Sequence, residues 1–287
     1  MKKIFSWAVK IVSSPFVAGD KPEDALRVAA ELNKQGVDII INFLGEDVLT
    51  DEQAKENVKI YCQLLHEINT RGLRARISIK PTQLGLPKHI GLKLDKYAYR
   101  YNLADLAKVN LYYHIPLEID MEGPETVNET IASTIYLKEC LPELDLRQSV
   151  AMNFSDSFKW VFDLTSCKVK IRLCKGAYGG DLIGESGLRK RLLSAFLFLL
   201  NSSADPDVAT HDMGLIGTIC FLKEKYSNCL LSGFQFLLGF RRRTRRKLVE
   251  GGERVVVYAP FGTNRLPYAK RRWKYLLKNL PSFLLGD

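Results

Sequence analysis

Apolar residues in this chain fall into short runs of strand length, separated by longer stretches with helical spacing. The runs are 37–45 (VDIIINFLG), 74–81 (RARISIKP), 115–122 (IPLEIDME), 146–154 (LRQSVAMNF), 168–176 (KVKIRLCKG), 205–212 (DPDVATHD), 228–236 (NCLLSGFQF) and 254–262 (RVVVYAPFG). Between them, segments such as 51–70 (DEQAKENVKIYCQLLHEINT) and 124–141 (PETVNETIASTIYLKECL) space their apolar residues as a helix does, and Pro124 suits a first helical turn. Eight such strand-then-helix units of parallel type predict a (β/α)8 TIM-type barrel of the α/β class rather than an open doubly wound sheet. No GxGxxG follows a strand, which argues against a Rossmann dinucleotide site.

At 287 residues and 46% hydrophobic, the chain can bury one full core. The expectation is a single (β/α)8 domain over 1–287, with 1–30 as an N-terminal helical extension. Cysteines 62, 140, 167, 174, 220 and 229 show neither CxxC spacing nor a small secreted framework, so they read as reduced thiols. The opening MKKIFSWAVKIVSSPFVAGD is basic and then apolar. Lys10 interrupts the run, and no clean cleavage site follows, so no signal peptide is expected. The longest apolar runs, 192–200 and 230–240, fall well short of the roughly 20 residues of a spanning helix.

The formal net charge of +10 is concentrated, since residues 240–287 hold 13 Lys and Arg against 3 Asp and Glu while the rest of the chain balances. Nucleic-acid binding would want a basic surface with interleaved aromatics or a known reading module, whereas this excess is concentrated in RRRTRRK (241–247) and AKRRWKYLLK (269–278). The cluster RRRTRRK (241–247) reads first as a solvated helix face, with contact to anionic lipid headgroups as its rival.

In barrels of this kind the chemistry sits at the carboxyl ends of the strands. Those ends present Glu46, Lys80, Asp120 with Glu122, Asn153, Arg172 with Lys175 and Tyr178, His211 with Asp212, Gln235, and Tyr258. The set is too polar for a core. The stretch KVKIRLCKGAY (168–178) alternates Val169, Ile171 and Leu173 with Lys170 and Arg172, then leaves the barrel at Gly176, where the backbone can approach a ligand closely. His66, His89 and His114 lack clustered partners at metal-ligand spacing, so no metal is expected. Lys80 or Lys175 can also be read as a Schiff-base lysine of an aldolase-like barrel.

Several of these stretches, in this order, resemble the proline dehydrogenase family in its short single-function bacterial form. They are FVAGDKPEDALRVAAELNKQGVDIIINFLGEDV (16–48), ISIKPTQLGL (77–86), IDMEG (119–123), IRLCKGAY (171–178), VATHD (208–212) and VYAPFGTNRLPYAKRRW (257–273). The resemblance implies a distorted (β/α)8 barrel that holds noncovalent FAD and oxidises L-proline to Δ1-pyrroline-5-carboxylate, the first step of proline catabolism. It implies a quinone or similar electron acceptor, which the basic segment 240–287 would suit by peripheral contact with an anionic membrane surface. Residence would be cytoplasmic, on the inner face.

By motif match, Arg172, Lys175, Gly176, Ala177 and His211 would contact the flavin, as would Asn153 on the fourth strand. Lys80, Asp120, Tyr178, Tyr258, Tyr268, Arg271 and Arg272 would form the proline pocket. These residue types suit the chemistry. A fixed cation stabilises a reduced, negatively charged flavin ring, and a guanidinium fork binds a carboxylate bidentately at any working pH. Tyr268 lies three and four residues before the two arginines, which places all three on one helix face.

The chain also departs from the family pattern. Asn153 stands where the family has Gln, Gly233 begins a motif that usually reads Glu-Phe-Gln, and Tyr275 stands where a Glu is common. Gly179 and Gly180 follow KGAY in place of bulkier residues. These changes admit a related cyclic or N-alkyl amino acid as substrate, or a flavin- or proline-binding protein without turnover; the lysine-dependent lyase at Lys80 or Lys175 is a separate alternative.

Overall fold

The computed structural model describes residues 14–89, 94–95, 97–182, 184–200, 202, 204–226 and 233–270. Each predicted run holds a strand: β1 (Asp38–Phe43), β2 (Ala75–Ile79), β3 (Leu117–Ile119), β4 (Leu146–Ala151), β5 (Lys170–Cys174), β6 (Asp207–Ala209), β7 (Phe234–Leu237) and β8 (Val255–Phe261). They form a closed barrel in sequence order, every neighbouring pair parallel, with Ile40 of β1 opposite Tyr258 of β8 at the seam.

The helices are α1 (Pro22–Lys34), α2 (Asp51–Thr70), α3 (Ala98–Tyr113), α4 (Pro124–Cys140), α5 (Ser157–Ser166), α6 (Glu185–Leu200), α7 (Met213–Lys225) and α8 (Arg242–Glu250). Helix α2 starts where Thr50 accepts from the Gln53 N–H, and α4 starts at Pro124 as its sequence indicates. None of the described helices is long and apolar enough to cross a membrane. Of the expected extension over 1–30, residues 1–13 lie outside the described residues. The remainder holds a single 3-10 turn (Ser14–Phe16) and the start of α1, which packs on β1 and β8.

The strands bury both faces, but the two faces differ in kind. Outward residues such as Ile39, Ile41, Ile77, Ile79, Leu117 and Ile119 join the helices in one large apolar core. Inward, only the quarter around Ile40, Val256, Tyr258 and Leu237 is apolar. The rest of the interior is a column of charge. Arg76 bonds Asp207 at 2.9 Å and Glu118 at 3.3 Å, Gln235 donates to the same two carboxylates, and Arg147 approaches Asp207 at 3.5 Å. Glu118 also meets Arg172, which reaches Asp120 at 3.0 Å nearer the carboxyl end. This polar lumen explains why strands buried on both sides read as alternating apolar and charged residues instead of continuous apolar runs.

Burial alone would raise the Asp207 carboxyl, but Arg147 and Arg76 outweigh it and hold the group well below the usual carboxylate range. The stability it contributes is therefore present above about pH 4, its unfolded value, and drains as pH falls toward the folded one. The urea midpoint is expected to drop between about pH 6 and pH 3, and Asp207→Asn should shrink that difference. Equal pH dependence in the two proteins would contradict the assignment.

Candidate active site

The carboxyl ends of the strands open into a cavity of about 950 Å³, at the large end of the roughly 300–1,000 Å³ typical of ligand sites. Of the residues singled out at strand ends, Lys80, Asp120, Glu122, Arg172 and Lys175 are on its wall. Tyr178, His211, Asp212, Gln235 and Tyr258 are there too, as are Gly176, Ala177 and Tyr268. Arg271, Arg272 and Tyr275 lie outside the described residues.

Asp120 is the hub. Its carboxylate accepts from Ser78 Oγ (2.9 Å), Lys80 Nζ (3.0 Å), Arg172 Nη2 (3.0 Å) and Tyr258 Oη (2.7 Å). Burial pushes its pKa up, yet Lys80 and Arg172 overcome this and keep it ionised far below the ordinary carboxylate range. The Tyr258 phenol moves the other way, held well above 10 by burial and by the Asp120 charge, so it remains a neutral donor. Arg172 is held charged, because Glu118 and Asp120 outweigh the cost of its burial. The Lys80 and Arg172 cations lie 5.7 and 5.6 Å from the Tyr258 ring centroid, leaving that ring as the apolar wall between two charges. Lys80 donates besides to Asn42 Oδ1 and Tyr258 Oη, both at 3.1 Å.

At the other end of the cavity, Lys175 pairs with Asp212 (2.7 Å) and with Glu185, while Arg189 pairs with Asp212 (2.6 Å). His211 is stacked between Phe236 and Phe240, with centroids at 5.8 and 4.9 Å. Its Nε2 accepts from the Leu237 N–H at 3.1 Å, which places the ring proton on Nδ1.

Two loops meet where the chain departs from the family pattern. Asn153 is not on the cavity wall. It lies behind the loop after β5, where Nδ2 donates to the Tyr178 carbonyl at 2.9 Å and the Asn153 carbonyl accepts from Leu182. A Cβ on Gly176 or Gly180 would stand 2.2 Å from an Asn153 oxygen, and Gly176 has φ +128°. The short Asn, Gly176 and Gly180 thus form one packed unit, whereas a Cβ on Gly179 would meet open space. Gly176→Ala is expected to cost about 1–3 kcal/mol through strain at that φ and the clash with Asn153 Oδ1, with the clash part recovered when Asn153→Ala is added. Thermal denaturation of the single and double variants checks this, and additive losses would argue against the contact.

The missing acid at Gly233 is answered from the neighbouring strand. A Cβ at 233 would stand 2.7 Å from Asp207 Oδ1, and that oxygen already accepts from the Gly233 N–H.

The cluster 241–247 corrects the sequence reading of a solvated face. Arg242, Arg243, Arg246 and Lys247 are exposed, but Thr244 and Arg245 are buried and Arg241 is on the cavity wall. Its left-handed backbone (φ 52°) ahead of α8 carries no sequence signal, since that region favours Gly or Asn. Ser149 and Glu118, one step below the strand ends, and Cys174, at the end of β5, escaped the sequence reading as well. Their inward positions follow from counting two residues back from the rim.

No protein-family model matches the chain. Among curated proteins it is similar to proline dehydrogenase 1 of Bacillus subtilis, 28% identical over 284 residues, covering 93% of this chain and 87% of the relative. It is 25% identical to proline dehydrogenase 2 of the same species, with the same coverage of both chains. Among solved structures, proline utilization A of Bdellovibrio bacteriovorus superposes with a TM-score of 0.81 at 19% identity, over 93% of this chain and 32% of that one. That likeness shows the barrel fold, and the chain spans about a third of the larger protein. The resemblance to proline dehydrogenases carried by the sequence motifs therefore extends over nearly the whole chain.

Proposed function

We propose that this chain oxidises L-proline to Δ1-pyrroline-5-carboxylate with a noncovalent FAD held over the carboxyl ends of the strands. The observation that carries this is the Lys80, Asp120, Arg172 and Tyr258 cluster on one wall of a long cavity, in a chain similar to named proline dehydrogenases.

The wall fits a flavin. Arg172 offers a fixed cation, and Lys175, Arg189 and Arg241 further cations along the cavity. Gln235 Oε1 is buried on the wall with no partner, an acceptor in want of an N–H. When bound, the flavin supplies a two-electron acceptor.

Oxidation of the ring C–N bond takes a hydride equivalent from carbon and a proton from nitrogen, leaving C=N. In this reading Arg172 and Lys80 hold positive charge beside the reacting centre, Asp120 fixes both, and the Tyr258 ring lies against the substrate ring. Arg271 and Arg272 take the proline carboxylate by motif match. Arg271→Met is then expected to raise KM for proline by about tenfold or more and to abolish the preference for proline over pyrrolidine, which lacks the carboxylate. An unchanged KM would remove these arginines from the site.

Electrons pass onward to a quinone or similar acceptor, with the basic segment 240–287 against an anionic membrane surface. The lysine-dependent lyase finds less support. A Schiff base needs a neutral amine, whereas all three Lys80 N–H bonds are engaged, one of them by a carboxylate. The purified protein is expected to be yellow and to release its colour on mild denaturation. A colourless protein trapped by borohydride with substrate would favour the lyase.

A further inference from the structure

The cavity wall carries five cations, Lys80, Arg172, Lys175, Arg189 and Arg241, against the carboxylates of Asp120, Glu122, Glu185 and Asp212. The first four cations are each ion-paired. Arg241 is not. Its Nε donates to the His211 carbonyl at 3.2 Å, and no carboxylate meets it among the described residues. Arg245, whose backbone N–H donates to the Arg241 carbonyl at 2.8 Å, is only 7% exposed, and its Nε has no partner. Burial, with Arg242 nearby, lowers its pKa to about 10. Beyond the described residues, Asp287 is the only Asp or Glu in the chain.

An uncompensated buried guanidinium is costly, and its placement adds to the cost. Arg241 stands at the N-cap position of α8 and Arg245 at the end of its first turn; the nine-residue helix has no acidic residue in that turn and no side-chain cap. The N-terminal end of a helix dipole favours anions and disfavours cations. Local rules broken this consistently mark a site built for a ligand.

We infer that Arg241, backed by Arg245 and the first turn of α8, seats the diphosphate of the flavin dinucleotide. The inference rests on the flavin reading above and deepens it. A diphosphate supplies the two negative charges that the wall and the helix end lack, and a guanidinium fork matches phosphate oxygens bidentately. The seat lies beside the stacked His211 ring, at the end of the cavity away from Asp120. The dinucleotide, rather than the bare isoalloxazine and ribityl chain, then provides much of the affinity.

The test uses the full chain stripped of flavin. FAD and riboflavin binding are followed by flavin fluorescence, and ADP binding by competition with FAD. Arg241→Gln is expected to weaken FAD and ADP by about tenfold or more and to leave riboflavin, which has no phosphate, unchanged. Arg241→Lys, which keeps the charge without the fork, should lie between the two. Arg243→Gln removes the same charge from the exposed side of the helix and should change nothing. Equal FAD affinity in the native and Arg241→Gln chains, or an equal loss in Arg243→Gln, would overturn the inference while leaving the flavin reading intact. Failure of the native chain to bind FAD or riboflavin would sink both.

Discussion

Replacing Asp120 with alanine is expected to destabilise the protein by about 3–5 kcal/mol, because the change leaves two buried cations without their shared carboxylate. Lys80 keeps Asn42 and Tyr258 as neutral partners, and Arg172 keeps Glu118. Asp120→Asn preserves the shape and removes only the charge, so it should recover little of the loss. The same residue orients both cations and the Tyr258 hydroxyl. Its removal should slow flavin reduction by proline by roughly 10²- to 10³-fold, the scale seen when one preorganised polar group is taken from an active site. Urea unfolding and single-turnover reduction measure the two effects. A variant within about 0.5 kcal/mol of native, the range of an ordinary surface substitution, would show that Asp120 is not the hub.

Arg172→Ala should produce the opposite balance. Each carboxylate it leaves retains a cation, Arg76 for Glu118 and Lys80 for Asp120. The stability cost is therefore about 1.5–3 kcal/mol, that of a lost charged hydrogen bond. Flavin reduction should fall by about 10²- to 10³-fold, and the reduction potential of the bound flavin should become more negative, because the cation that favours negative charge on the ring is gone. Potentiometric titration of Arg172→Ala and of the native protein separates this from a packing defect. An unchanged potential alongside a normal spectrum would place Arg172 away from the ring.

Much of this arrangement was legible in the chain. Seven strands fall within their predicted runs and β7 passes its run by one residue, because a charged lumen imposes a period of two that a fully apolar barrel would hide; Arg74 to Lys80 and Leu117 to Asp120 are the clearest cases. The strand-end residues could be read for the same reason, and most of them share one cavity.

What escaped depends on contacts between distant segments. Asn153 was aligned with a flavin contact by motif, but its place is set by Gly176 and Gly180, some 25 residues away, closing over it. Arg241 and Arg245 looked like members of a solvated basic face, since sequence cannot show a left-handed residue turning one arginine of the cluster into a cavity. The boundary of β7 slipped because its apolar run begins well before the strand, and residues 227–232 lie outside the described residues.

The central claim is that the Asp120 cluster and the flavin-sized cavity together oxidise L-proline. Anaerobic titration of the flavin-loaded protein with L-proline, with the visible flavin absorbance and the formation of Δ1-pyrroline-5-carboxylate followed in the same cuvette, tests it most directly. The account predicts bleaching of the flavin with one product formed per flavin reduced, and neither change in Asp120→Ala on the same timescale. A flavin that stays oxidised at saturating proline while the protein remains folded and loaded would contradict it.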